Sequence, residues 1–344
     1  MIDAKENITP KKVTAKDYES DQDVRWCPGC GDYSILKQTQ TVLADIGLKN
    51  EEIVFVSGIG CSSRFPYYMN TYGMHSIHGR GPAFASGLKA VNPNLSTWLI
   101  TGDGDSLSIG GNHLIHALRR NFDINILLFN NEIYGLTKGQ YSPTSGEGKV
   151  TKSSPAGSLD HPFNPLALAL GAEATFVARS MDRDPIHLRE ILKRANDHKG
   201  TSLVEIYQNC NIFNDGAFFA FSEKSTKAIN TIQLKHGEPL IFGAEMEKAI
   251  VLDGLSPKVV NKSEVNESDL WIHDESDRAK ASILVRMFDS PESSELPRPF
   301  GIFYVEDRPV YNDLINDQIQ AQIDKKGEGD LDSLLRGSRT WTVE

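Results

Sequence analysis

Two sets of residues in this 344-residue chain have the types and spacing to do chemistry. The first is Gly102-Asp103-Gly104-Asp105-Ser106-Leu107 together with Asn130-Asn131-Glu132-Ile133-Tyr134-Gly135-Leu136-Thr137, in which Asn131 follows Asp103 by 28 positions. Magnesium takes about six hard oxygen ligands near 2.1 Å, usually one or two carboxylates with phosphate, carbonyl and water making up the rest. Asp103 can offer the carboxylate, Asn131 an amide oxygen and Ile133 a main-chain carbonyl, which leaves places for two oxygens of a diphosphate. Gly102 and Gly104 would let the backbone come close to phosphates, and a helix starting near Gly110 would aim its N-terminus at them. Alone, GDGD reads as an ordinary Gly-Asp turn. The 28-residue interval is one strand-helix-strand step, and it sets the two motifs on neighbouring strand ends.

The second set is the four cysteines: Cys27 and Cys30 in WCPGCG, Cys61 in Ile59-Gly60-Cys61-Ser62, and Cys210 in YQNCN. The N-terminal residues lack the apolar core of a secretory signal, so the chain is expected in the cytoplasm, where thiols stay reduced. Four cysteines including one CxxC then point to a metal or redox site rather than disulfides, and the ligand types leave zinc and an iron-sulfur cluster equally open. Basic residues lie close by in sequence. Arg64 can offer a guanidinium to a carboxylate or phosphate. His75, His78 and Arg80 form a basic loop whose Gly79 and Gly81 suggest a backbone approaching a ligand. Arg64, His75 and His78 are the candidates for contacts with a reacting substrate, whereas His113 and His116 read as helix residues packing on a sheet.

These residues need strands to hold them. From Glu51 onward, apolar runs at 53–56, 97–100, 124–129, 174–177 and 202–206 alternate with helix candidates near 83–91, 110–120, 164–171 and 184–198. Strands buried on both faces read as continuous apolar runs, so the expected fold is α/β, a doubly wound parallel sheet that binds its ligand at the carboxyl ends of the strands. Residues 1–23 are polar and read as an arm ordered only against something else; residues 24–215 carry the chemistry. Residues 216–344 read as a C-terminal appendage with a helix at 242–250, a hairpin-like stretch and a polar tail beyond Asp307. The net charge of -10 argues against unaided nucleic-acid binding, and no apolar run approaches the roughly 20 residues of a membrane helix.

GDG followed by NN at this interval resembles the thiamine-diphosphate enzyme superfamily, through Gly102, Asp103, Gly104, Asn130 and Asn131. The resemblance implies a diphosphate-binding domain holding Mg2+ and thiamine diphosphate, with Ile59, Gly60, Cys61, Ser62, His78, Arg80, Gly102 to Leu107, Asn131, Ile133, Gly135, Leu136 and Thr137 around the cofactor. In that superfamily a glutamate of a separate pyrimidine-binding domain activates the cofactor, and this chain has room for only one such domain. An oxidative outcome on a 2-oxoacid needs an electron acceptor, and no GxGxxG follows a strand here to bind a nicotinamide or flavin, which tips the cysteines toward iron and sulfur.

Taken together, WCPGCG, GIGCSS, HGR, GDGD, NNEIYGLTKGQYSPTS and the cysteine after VEIYQ resemble the β subunits of 2-oxoacid:ferredoxin oxidoreductases over about residues 24–215. That resemblance implies one [4Fe-4S] cluster on Cys27, Cys30, Cys61 and Cys210. It also implies an α subunit carrying the pyrimidine domain and activating glutamate in an (αβ)2 assembly, coenzyme A as acyl acceptor and ferredoxin as electron acceptor. The C-terminal portion around residues 249–254 resembles the 2-oxoglutarate branch, and Arg64, Lys138 and the histidines could neutralise a second carboxylate. Pyruvate or another 2-oxoacid remains the alternative substrate, and a non-oxidative thiamine-dependent decarboxylase with structural zinc the alternative enzyme.

Overall fold

The apolar runs become strands in the computed structural model, which describes residues 13–288, 294–341 and 343. Eleven strands form among these residues: β1 (Ile53–Ser57), β2 (Tyr72–His75), β3 (Ser96–Gly102), β4 (Asn125–Asn130), β5 (Phe176–Met181), β6 (Ser202–Tyr207), β7 (Thr231–Leu234), β8 (Ile241–Phe242), β9 (Lys248–Asp253), β10 (Ser256–Asn261) and β11 (Arg298–Val305). Eight of them make one sheet in the order β2-β1-β3-β4-β6-β5-β11-β7. The first six run parallel; β11 is antiparallel to β5 and parallel to β7. The mostly parallel α/β sheet expected from the sequence is therefore present, with two reversed strands added at one edge.

Helices α1 (Asp32–Ile46), α2 (Gly81–Val91), α3 (Asp103–Leu107), α4 (Gly111–Arg120), α5 (Pro165–Gly171) and α6 (Pro185–Asp197) cover the two faces. Two of them start on a strong local signal: Asn164 and Asp184 accept the N–H of the residue three positions on, and a proline follows each at the first helical position. Alternate strand residues go to opposite sides. Val56, Leu99, Ile126, Leu128 and Leu203 pack with α2, α4 and α5, whereas Phe55, Trp98, Ile100, Leu127 and Ile206 pack with α1 and α6. Burial on both faces is why these strands read as unbroken apolar runs.

The chain passes from β1 outward to β2 and then back across β1 to β3. The crossover directions reverse between β1 and β3, and a crevice opens there at the carboxyl ends of the strands. Register does the rest: Gly102 pairs with Phe129 and Asn130 with Tyr207, so the ends of β3, β4 and β6 come out side by side.

Three expectations change. The arm at 1–23 lies outside the described residues as far as position 12, but from Val13 it packs on the body, with Tyr18 fully buried and its hydroxyl donating to the carbonyl of Leu48 at 2.5 Å. The helix expected at 242–250 is instead β8 and the start of β9; Gly243 takes φ 106, and the branched residues of Ala249-Ile250-Val251 pair with β10. The polar tail beyond Asp307 is largely helical, at Tyr311–Lys326 and Leu331–Arg336; Tyr311 and the buried Asn312 pack on the body, and most later residues are exposed. Residues 216–344 do form a small three-stranded sheet, β10-β9-β8, but they also supply β7 and β11 to the main sheet.

One polar feature crosses the sheet. Arg179 of β5 and Glu205 of β6 stand opposite each other, both wholly buried, with Nε to Oε2 at 2.7 Å. Arg179 also donates from Nη1 to the carbonyl of Pro299 in β11 at 3.1 Å, and Glu205 accepts from the side-chain amide of Asn130 at 2.8 Å. Removing one partner of such a pair strands a buried charge. Glu205→Ala is expected to destabilise the protein by about 3–5 kcal/mol in denaturant titrations; a loss below about 1 kcal/mol, the range of an exposed pair, would show that the pair is solvated.

Candidate functional site

The ends of β1, β3 and β4 enclose a small cleft of about 80 Å³. Its lining brings together Ile59, Gly60, Cys61, Ser62, His78, Gly102, Asp103, Gly104, Asp105, Asn131, Ile133, Gly135, Leu136 and Thr137, from four separate stretches of sequence. Phe129 and Tyr134 line it too and were not picked out from the sequence. Ser106, Leu107 and Arg80 do not. Ser106 donates to the carbonyl of Gly102 at 2.8 Å, Leu107 belongs to the hydrophobic core, and Arg80 reaches the carbonyl of Ile109 at 3.3 Å.

Asp103 is 3% exposed and opens α3 directly after β3. The helix at the motif thus starts at Asp103, with α4 following only at Gly111. One carboxylate oxygen of Asp103, Oδ2, accepts from Ser142 Oγ at 2.5 Å and Thr144 Oγ1 at 2.6 Å. Both hydroxyls come from the loop after the NN motif; their role was not assigned from sequence, because nothing local marks them as partners of a residue some forty positions away. Thr144 is in turn bonded to Asn130 Oδ1 at 2.9 Å, which ties Asp103 to the Glu205–Arg179 pair. Burial raises the pKa of Asp103, and the two hydroxyls oppose that shift. A carboxylate so placed is ready for a cation. Asn131 donates from Nδ2 to Gln208 at 2.8 Å and accepts at Oδ1 from the N–H of Ile133 at 3.2 Å, so its oxygen is turned to the Ile133 side.

The second carboxylate of the motif does a different job. Asp105 accepts from the N–H of Ile59 at 3.1 Å, the N–H of Gly79 at 2.7 Å and the hydroxyl of Thr101 at 2.8 Å. His78 Nδ1 stands 3.0 Å from the same carboxylate without hydrogen-bond alignment. Asp105 therefore ties the loops after β1 and β2 to the end of β3. The glycines are explained by this packing as well. A methyl on Gly104 would fall 2.1 Å from the ring of Tyr134, whose hydroxyl donates to the Gly104 carbonyl at 3.0 Å. Gly79, at φ 71, lies against the backbone of Gly110. The space that a side chain would take at either glycine is filled by protein, while Gly104 itself lines the cleft.

Arg64 and His75 fall outside the cleft, in an adjoining open cavity of about 560 Å³ that also takes in Arg25, Tyr67, Gly60 and Leu136. His75 leans on the ring of Tyr67, with centroids 5.8 Å apart, and Arg64 donates to the carbonyl of Arg25 at 3.1 Å.

The four cysteines are free thiols that converge from three loops. The N–H of Cys30 bonds the carbonyl of Cys27 at 3.0 Å, Asn211 reaches back to the carbonyl of Pro28 at 2.7 Å, and Trp26 Nε1 donates to the carbonyl of Cys61 at 2.7 Å. Gly135 marks where they meet the cleft: a methyl there would lie 3.5 Å from the Sγ of both Cys61 and Cys210. Burial, then the negative charge of Asp32, then Cys210 and Cys27, push the Cys61 thiol up to about 12, and burial and Asp32 raise Cys30 as well. Thiolates in such surroundings need positive charge placed among them. Among the described residues, no three His, Cys, Asp or Glu side chains are gathered closely enough to hold a single ion.

Residues 58–206 match the family described as "Thiamine pyrophosphate enzyme, C-terminal TPP binding domain". The chain is 53% identical over 340 residues to a 2-oxoglutarate oxidoreductase subunit KorB of Mycobacterium tuberculosis, covering 98% of this chain and 90% of that one. It is 36% identical to a 2-oxoacid:ferredoxin oxidoreductase subunit beta of Sulfolobus sp., covering 87% and 88% of the two chains. The chain belongs to the 2-oxoacid:ferredoxin oxidoreductase β-subunit family. Its fold also superposes, with a TM-score of 0.75 and 30% identity over 96% of this chain and 97% of the other, on a chain of 2-oxoglutarate:ferredoxin oxidoreductase from Magnetococcus marinus with 2-oxoglutarate, coenzyme A and succinyl-CoA bound. The cleft at the ends of β1, β3 and β4 lies within the span matched by that family, and the loops around it depend on Asp105. Asp105→Ala leaves the buried N–H of Gly79 without its acceptor, at a cost of about 1–3 kcal/mol, and frees the partly buried N–H of Ile59 as well. The expected result is a lowered denaturation midpoint together with weakened thiamine diphosphate binding; a midpoint equal to wild type would show that the loops hold without the tie.

Proposed function

We propose that this chain is the β subunit of a 2-oxoglutarate:ferredoxin oxidoreductase. The overall reaction converts 2-oxoglutarate, coenzyme A and two oxidised ferredoxins to succinyl-CoA, CO2, two reduced ferredoxins and one proton. The observation that carries the reading is the position of Gly135, which lines the thiamine cleft and at the same time lies against two of four converging thiols. Carbon chemistry and electron removal would thus share one wall. The choice of 2-oxoglutarate rests on the identity with KorB over nearly the whole chain and on the likeness to the Magnetococcus marinus structure.

When bound, thiamine diphosphate supplies the electron sink that permits loss of CO2 from a 2-oxoacid. Asp103, Asn131 and the carbonyl of Ile133 would hold its Mg2+, with Ser142 and Thr144 fixing the Asp103 carboxylate. Arg64 and His75, with Arg25 beside them, face the open cavity next to Leu136 and would receive the carboxylates of a dicarboxylic substrate. Cys27, Cys30, Cys61 and Cys210 would hold one [4Fe-4S] cluster. Passing electrons to a ferredoxin calls for a redox group, which a cluster supplies and one zinc ion does not. Cys27, the exposed member, marks the side from which an external ferredoxin would approach.

The cleft is too small alone. Ligand pockets usually offer about 300–1,000 Å³, and here about 80 Å³ is enclosed. Beside it lie the exposed edge strand β2 and apolar side chains left in solvent, with Tyr72 61%, Ile77 66% and Ile109 57% exposed. An apolar patch of this kind marks a protein interface. The α subunit would cover it, bring the activating glutamate and complete an (αβ)2 complex. No helix among the described residues is long and apolar enough to cross a membrane.

Coenzyme-A-dependent dye reduction by the copurified complex is expected to be at least ten times faster with 2-oxoglutarate than with pyruvate, and a preference for pyruvate would reassign the substrate. Cys210→Ser in the same complex is expected to lose the broad visible absorption and the acid-labile sulfide of one cluster. Zinc without sulfide in the wild-type protein would overturn the cluster assignment.

A further inference from the structure

The first residue after β6, Gln208, is 1% exposed, and its amide touches both sets of chemically active residues. Its N–H donates to the carbonyl of Asn130 at 2.9 Å, which continues the β4–β6 ladder past the strands and fixes where the side chain starts. Its Oε1 accepts from Nδ2 of Asn131 at 2.8 Å. Its Nε2 donates to the Sγ of Cys30 at 3.2 Å and to the carbonyl of Asn209 at 2.8 Å. The direction of the amide follows from these partners. Turned over, it would set its NH2 against the NH2 of Asn131 and its oxygen against another carbonyl oxygen, exchanging good contacts for bad ones.

We propose that Gln208 is a positioning residue shared by the two centres: it holds the amide oxygen of Asn131 toward the diphosphate metal, and it donates the N–H···S bond that sets the reduction potential of the cluster bound through Cys30. The inference rests on the metal and cluster assignments made above. An asparagine amide has nearly the same shape either way round, so a metal that needs its oxygen depends on something that captures its nitrogen. Gln208 does this. At the other end, an N–H aimed at a cluster sulfur favours the reduced, more negative state and raises the potential. Oxygen and nitrogen sit on one planar group, so a displacement at either centre is passed to the other.

The test uses the anaerobically purified complex with wild-type, Gln208→Glu and Gln208→Met chains. Glutamate keeps an acceptor for Asn131 but has no donor for Cys30, and methionine keeps the length and loses both. Redox titration followed by electron paramagnetic resonance is expected to show a lower midpoint potential in both variants. Methionine is neutral, so its shift separates the lost hydrogen bond from added charge. The magnesium concentration needed for half-maximal thiamine diphosphate binding is expected to stay within about twofold in Gln208→Glu and to rise about tenfold or more in Gln208→Met. An unchanged potential in the variants, or an unchanged magnesium requirement in Gln208→Met, overturns the proposal. Iron and sulfide analysis keeps the two levels apart: a wild-type chain without sulfide fails the cluster assignment, whereas loaded variants with wild-type potentials fail Gln208 alone. Should Gln208→Met not load, the neutral Gln208→Leu takes its place, with a lowered potential supporting the proposal and an unchanged one overturning it.

Discussion

The carboxylate of Asp105 is the constraint on which the site depends. Three strands end beside one another, and each is followed by a loop free to go elsewhere. A single buried carboxylate collects an N–H from the loop after β1, an N–H from the loop after β2 and a hydroxyl from β3. The N–H of Gly79 would otherwise be an unpaired donor away from water, so the carboxylate and the loops hold one another in place. The arrangement also leaves the neighbouring Asp103 free to act as a ligand. Two aspartates two residues apart thus divide the work, one turned into the protein and one toward the cleft.

A second layer of polar contacts runs beneath the cleft. Arg179, Glu205, Asn130, Thr144 and Asp103 form a chain of bonds that runs from within the sheet to the Asp103 carboxylate at the cleft. Every member is buried, so each relies on the next, and the geometry at Asp103 is set by residues from four separate parts of the sequence. Gln208 plays the corresponding part between Asn131 and Cys30. The charged and metal-seeking groups are held stiffly, while the face left for a partner is apolar and open.

Much of this was legible in the sequence because it is local. The interval between Asp103 and Asn131 reports a strand-helix-strand step, unbroken apolar runs report strands covered on both faces, and the four cysteines stand in recognisable loops. What escaped depends on distance. Nothing near Ser142 or Thr144 says that they meet Asp103, and nothing near Asp105 says that it gathers two other loops. Gly79 and Gly104 looked like openings for a ligand, since sequence reports a missing side chain and not what fills its place. The segment at 242–250 carries helix-forming residues, but pairing with β10 decides its conformation. The helical signal of Tyr311–Lys326 is weak because only its first turns rest on the body, through Tyr311 and Asn312, and no apolar stripe runs its length.

The placement of β11 has a bearing on biosynthesis. This strand comes from the last sixth of the chain, yet it lies inside the main sheet, between β5 and β7, and its Pro299 carbonyl takes one of the donors of Arg179. A nascent chain that has emerged only as far as Cys210, just past β6, already contains all four cysteines and both aspartates, but Arg179 still lacks this partner and one sheet edge stays bare. Pairings across so long an interval form late. The ribosome must therefore deliver nearly the whole polypeptide before this part of the sheet is finished.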